Sequence, residues 1–250
     1  MAVQLTKRQH TIPRRSIGRF YNGSCSVWVK LRSGKIFNAR SDNEVFCAKR
    51  AWEERSENGH KINIEDVFQE VADKICSGEV TTLNQARSDC VSAMFALWIA
   101  RSHLAEKPLP GVSAETLYGL STEELRDSNL VKSWNPDERD QLEKAGRIVN
   151  DPDGAIPGRM QAWPFMMQRY IGPICAKLRG IRWGILRAEE DEFLLPDRIR
   201  EHCLLPLSPK ILLVAGHSDD VLAAAGVAKI NQIAKSDFRE WLISKTEFPT

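Results

Sequence analysis

No aspartate or glutamate occurs before Asp42, and that stretch carries Lys7, Arg8, Arg14, Arg15, Arg19, Lys30, Arg32, Lys35 and Arg40. The local charge is +9 in a chain whose total is +2, so the residues from Asp42 onward sum to −7. Crowded like charges repel one another and are easier to tolerate where something negative docks. The competing expectation is that the acidic remainder folds back on this segment and neutralises it, because surfaces usually mix both signs.

Other absences narrow the chemistry. There is no G-x-x-x-x-G-K-[ST], no G-x-G-x-x-G after a strand, no G-x-S-x-G and no H-E-x-x-H, which removes the common nucleotide-dependent and hydrolytic signatures. The six cysteines are widely scattered without a C-x-x-C pair, and no two of the five histidines lie at a metal-binding helical spacing. No metal and no cofactor is expected. The start MAVQLTKRQH lacks the apolar stretch of a signal peptide, and the longest apolar run, Cys90 to Ala100, is about half of what a bilayer requires. A cytoplasmic protein with reduced thiols and no membrane partner is expected.

With 42% hydrophobic and 27% charged residues the composition is that of a globular chain. In SCSVWVKL, Cys25, Val27, Val29 and Leu31 alternate with Ser24, Ser26, Trp28 and Lys30, and Arg32-Ser33-Gly34-Lys35 turns into IFNAR. This predicts a hairpin with Trp28 and Lys30 on the face opposite the valines. FCAKRAWEERSE predicts a helix ended by Asn58-Gly59, with Asn63 capping a second helix whose apolar face is Ile64, Val67, Phe68, Val71 and Ile75. Leu83 to Leu104 predicts the central core helix. Ser121 to Glu124 matches a capping box, Pro136 suits a first helical turn, and Asn150 to Gly158 is the clearest loop.

Beyond the loop, 159–179 predicts a helix interrupted near Pro164 and Pro173. RWGILRA, EFLLPD, HCLLPLSP and KILLVAG predict strands, and Ser218 predicts the cap of a last helix with Asp219 and Asp220 in its first turn. The expected class is α+β: a basic N-terminal β-hairpin, a helical middle, and C-terminal strands closed by a helix. One domain over 1–250 is expected, with sub-structure 1–107 (hairpin and core helices), 108–158 (helical insertion) and 159–250. A sheet shared by both ends of the chain fits this order.

The partner-binding candidates are Arg8, Arg14, Arg15, Arg19, Trp28, Lys30, Arg32 and Lys35. Rings interleaved with cations suit single-stranded nucleic acid, and the cations alone suit an acidic protein segment. No catalytic residue is assigned; the enzymatic alternative is a metal-dependent nuclease using His10 and Asp197 with the arginines on phosphate. Cys47 reads either as a thiolate at a helix start or as a structural cysteine. Trp52, Trp98 and Trp183 read as core, and Arg101 as an interior ion-pair partner or the polar end of its helix.

Several pieces in order resemble the bacterial family called domain of unknown function 4238. QHTIPRRSIGRF, with His10 and Pro13, is similar to its His-x-x-Pro start. FCAKRAWEERSE with IEDVFQEVADKI is similar to its first helices, and Trp98 to Arg101 to its middle. WGILRAEEDEFLLPD followed by LPLSPKILLV resembles its strand pair and Pro-Leu-Ser-Pro turn. Leu195-Pro196-Asp197-Arg198 stands where many relatives carry Ser-Asp-x-Pro, so of that pair only Asp197 is present. The family carries no agreed activity; the resemblance implies an origin in mobile elements and prophages. More distantly the chain resembles Tin-type prophage exclusion proteins. That implies an effector blocking a competing phage through its replication machinery, for instance its single-stranded-DNA-binding protein.

Overall fold

The computed structural model describes residues 5–113, 115–116, 119, 121, 123–124, 135–151, 155–199 and 202–248. It is α+β. The hairpin pairs β2 (Val27–Leu31) with β3 (Ile36–Ala39), closed by a turn with Gly34 at φ +90. Val27 and Val29 are fully buried, so the alternation of the sequence sets the face that meets the core.

The hairpin is not a separate appendage. The last strand, β10 (Trp241–Ser244), pairs antiparallel with β2 and carries β6 (Leu195–Pro196) on its other side, so both ends of the chain build one sheet in the order β3-β2-β10-β6. A second sheet, β7 (Leu204–Ser208), β8 (Ile211–Ala215), β5 (Trp183–Ala188) and β9 (Asp220–Leu222), holds most of the C-terminal apolar runs. A two-stranded ribbon joins β1 (Arg8–His10) to β4 (Cys47–Lys49).

Helix α1 (Arg14–Gly18) follows β1, and the helical middle comprises α2 (Glu54–His60), α3 (Asp66–Cys76) and α4 (Gln85–Glu106). Asn84 caps α4 by accepting from the Arg87 amide. Apolar nearly all round, α4 contributes Val91, Met94, Phe95 and Trp98 to the core shared with the sheets, and Ala96, Leu97, Ala100 and Leu104 to a second core containing Trp52. Trp183, Trp52 and Trp98 are all core residues.

Four local expectations are corrected. Only Phe46 of the stretch 46–53 is helical, as the end of a 3-10 turn, Glu44–Phe46, capped by Asn43; from there Phe46 and Ala48 are buried while Cys47 and Lys49 are less so, an alternation that lays β4 against β1 before Arg50, at φ +47, turns the chain. Asn58-Gly59 does not end α2. The helix continues through a π turn, Lys61–Glu65, into α3, with Asn63 Nδ2 donating to Gly59 O at 2.9 Å rather than the side chain capping a new helix. Glycine is required at 59 because a Cβ there would meet the Trp163 ring at 2.5 Å.

Asp220 lies in β9, not in a helical first turn, and Asp219 accepts from the Ile185 amide at 2.7 Å. The following helix, α8 (Ala224–Asp237), therefore starts later and without a side-chain cap, and β10 rather than that helix completes the fold.

Residues 158–178 run as a 3-10 turn, α6 (Ala162–Met166), a second π turn at Met167–Ile171, and α7 (Gly172–Leu178). Pro164 sits in the first turn of α6, where its missing N–H costs nothing. Pro173 follows the π turn, where the Gly172 amide reaches back to Met167 O. Pro136 opens α5 (Pro136–Lys144) behind an Asn135–Glu138 capping box. Ser121 and Glu124 exchange the two bonds of the other expected box, whereas Thr122 lies outside the described residues. The same holds for 152–154 of the expected loop.

Candidate functional site

The basic segment is tied to the rest of the chain by its own charges. Arg8 pairs with Glu44 at 3.4 Å, Arg14 with Asp42 at 3.7 Å, and Arg15 and Arg19 both with Asp73 of α3. The four pairs differ in kind. Arg8, Arg14 and Arg15 keep 59% to 65% of their side chains exposed against carboxylates that are themselves exposed, and such pairs contribute about 0–1 kcal/mol each. Arg19 is only 10% exposed, bonds Asp73 at 2.8 Å and reaches Gln69 O at 3.4 Å. It anchors α1 to α3.

Of the hairpin candidates, Trp28 and Lys30 are half-buried, whereas Arg32 and Lys35 are exposed. Trp28 packs beside Leu194, Ala234, Phe238, Leu242 and Phe248, under α8 and the C-terminal segment. Lys30 lies over the Phe248 ring at 5.9 Å, Arg32 over Phe238 at 5.0 Å, and Lys35 over Phe37 at 5.5 Å. The ring expected to be open is therefore half-buried against a second small core, while Arg32 and Lys35 beside it stay exposed.

His10 and Cys47 stand opposite each other in the β1–β4 register. His10 Nε2 lies 2.9 Å from Ser41 O, so in the neutral ring that nitrogen is the donor, and Cys47 Sγ lies 3.5 Å from Nε2 and 3.7 Å from Nδ1. Burial lowers the His10 pKa against the raising effect of the Ser41 bond, and burial pushes the Cys47 thiol up to about 11 although Arg8 and Arg14 oppose it. The pair is a neutral thiol on a neutral imidazole, in a strand and not at a helix start. A thiolate nucleophile would need the opposite shift.

Asp197 is committed to the fold. Its carboxylate accepts from the Arg239 and Glu240 amides, both at 2.8 Å, and its carbonyl accepts from Trp98 Nε1 and Ser102 Oγ, both at 3.0 Å. It thereby clamps the turn before β10 onto α4, and burial raises its pKa. Cys47 and Asp197 line one cleft of about 170 Å³, which His10 does not line. Among the described residues no group of three His, Cys, Asp or Glu could hold a metal ion, and no helix is long and apolar enough to cross a membrane.

Arg101 is an interior ion-pair partner rather than the polar end of its helix: it is 1% exposed, with Nη1 at 2.6 Å from Glu65 and Nη2 at 3.6 Å from Glu57. His60 is buried nearby against Trp163, rings 4.4 Å apart and 9° from parallel, and burial together with the Arg101 charge drops its pKa to about 4. Its folded pKa lies below the ordinary 6.5, so its contribution to stability is present above that value and is lost as pH falls toward about 4. Burial raises the pKa of Glu53 and Glu65, which act in the opposite sense. His60→Phe is therefore expected to flatten the fall of the urea midpoint between pH 6.5 and 4; an unaltered profile would refute the neutral buried imidazole.

Comparison of the chain with protein-family models, curated proteins and solved structures returned no match. The functional reading rests on the chain's own residues.

Proposed function

We propose that this protein is a non-catalytic interaction protein that captures an acidic partner through Arg8, Arg14 and Arg15. The observation that carries the reading is that these three guanidinium groups are more than half exposed and, among the described residues, bound only by weak, exposed ion pairs. A carboxylate-rich segment can exchange with Asp42, Glu44 and Asp73 at little cost, and planar guanidinium groups suit bidentate contact with carboxylates. The prophage resemblance supports a more specific form: an effector that blocks a competing phage by binding an acidic segment of its single-stranded-DNA-binding replication protein.

Capture of naked single-stranded nucleic acid is less favoured, because stacking needs an open ring and Trp28 is packed beneath the C-terminal segment. The test replaces Arg8, Arg14 and Arg15 together with Gln and leaves Arg19 in place. Pull-down from phage-infected cells with the variant is expected to lose the partner by about tenfold or more, with melting within a few degrees of wild type. Undiminished capture by a folded triple variant would refute the reading.

A further inference from the structure

On the hairpin each cation lies over a ring and Trp28 is covered by α8 and the C-terminal segment. Rings and cations that are free together occur elsewhere. His103 in the last turn of α4, Phe165 of α6 and Tyr170 in the π turn Met167–Ile171 form a cluster of three half-buried rings. Their centroids lie 5.2 Å apart for His103 and Tyr170, 5.7 Å for Phe165 and Tyr170, and 6.1 Å for His103 and Phe165.

The π turn helps to assemble this cluster. Residues five apart in a regular α-helix lie about 140° apart around its axis. The wider turn, closed by the Gly172 amide on Met167 O, narrows that angle, so the Phe165 and Tyr170 rings meet. Both pack against the second core, and the Tyr170 hydroxyl makes no hydrogen bond among the described residues.

Two cations flank the rings. Lys107 follows His103 by one helical turn, its N–H bonded to His103 O at 2.7 Å, and Arg169 adjoins Tyr170. Both are exposed, and among the described residues neither side chain makes an ion pair or a hydrogen bond or lies over a ring. Glu106, the carboxylate that also acts on His103, pairs with Arg198 at 2.6 Å. Burial lowers the His103 pKa, and the Lys107 and Arg169 charges lower it further, so the imidazole is a neutral ring at pH 7.

Unopposed cations beside flat rings suit an anion that carries flat apolar surface. An acidic peptide would use the cations and leave the rings idle, whereas single-stranded nucleic acid uses both: phosphates meet the cations and unpaired bases stack on the rings. We infer that this cluster is a binding site for single-stranded nucleic acid, with bases stacked on Tyr170 and Phe165 and phosphates on Arg169 and Lys107. The site shares no residue with Arg8, Arg14 and Arg15 and needs no protein partner, so it goes beyond the arginine-face reading and fails or succeeds independently of it.

The experiment is fluorescence anisotropy of labelled oligodeoxythymidylate and oligouridylate, each of about a dozen nucleotides, titrated with the full chain. Saturable binding is expected at about 1–100 µM in about 50 mM salt. Tighter binding of one probe assigns DNA or RNA, and equal binding assigns a site indifferent to the sugar. Tyr170→Leu, which keeps an apolar side chain on the second core, is expected to weaken binding about tenfold, and Tyr170→Phe to retain it. The double variant Lys107→Gln with Arg169→Gln changes only exposed side chains, so it should melt with the wild type while its log–log salt slope falls by about 1.4, for two phosphates at about 0.7 each. No saturation by either probe up to about 100 µM, or affinity unchanged in Tyr170→Leu or in the double variant, overturns the inference. Binding lost only when Arg8, Arg14 and Arg15 are replaced overturns it too, and moves the strand to the arginine face.

Discussion

Arg101→Met is expected to cost about 3–5 kcal/mol, the range for breaking a buried ion pair by removing one partner. The guanidinium is 1% exposed on α4 and reaches Glu65 of the π turn and Glu57 of α2 at once. It also lies over the Trp52 ring at 5.3 Å, and Trp52 Nε1 donates to Glu57 at 2.6 Å. Removing the cation strands two carboxylates in a space that has already raised the pKa of Glu65 by burial. Lysine is a poor replacement, since one compact ammonium cannot span both acids.

The double variant Arg101→Met with Glu65→Leu should recover part of the loss, because replacing both members of a buried pair with apolar groups is often neutral. Urea midpoints of the two single variants and the double variant measure the coupling. A stable Arg101→Met protein, within about 1 kcal/mol of wild type, would show that the network does not hold α2, the π turn and α4 together.

What the sequence disclosed follows from how local each signal is. Val27 and Val29 announce the hairpin because alternation needs no knowledge of the partner strand, and Cys90 to Ala100 announces the central helix because nothing else accommodates a run apolar on every side. Cys47–Lys49 was hidden: alanine, lysine and arginine favour helix, and the pairing that overrides them comes from Arg8–His10, far back in the chain. Asn58-Gly59 carries a stop signal, yet the glycine is there to admit the Trp163 ring, a contact more than a hundred residues away in sequence. Trp241–Ser244 is too short to predict alone and becomes a strand because β2 has an open edge.

The candidate site divides in the same way. Excess positive charge before Asp42 is plain from composition, but which arginines remain available depends on Asp42, Glu44 and Asp73, and only folding brings Asp73 of α3 to Arg15 and Arg19. Alternation alone puts Trp28 opposite the valines, but what covers that face comes from Leu194, α8 and the C-terminal segment, which the hairpin itself does not contain. Thr11, Lys49, Arg198 and Arg239, which line one cleft, come from four separate segments with no common spacing, so no motif would have gathered them.

Leu213→Asp is expected to unfold the protein at ordinary temperature. Leu213 is fully buried on β8, the strand flanked by β7 and β5, and stands opposite Leu205 on one side and Ile185 on the other. A carboxylate there meets only apolar neighbours in the register, so it must either remain charged without a partner or take up a proton, and either course costs several kcal/mol. Domains are stable by about 5–15 kcal/mol, which makes a loss of this size sufficient when the leucine packing is lost as well. Val221→Asp on β9 is the matched control: that side chain is 59% exposed, and its replacement should shift stability by no more than about 0.5 kcal/mol. Circular dichroism melts of the two variants discriminate directly. If Leu213→Asp stays soluble and melts with the wild type, the second sheet is not part of the core, and the cluster that α4 shares with its strands falls with it.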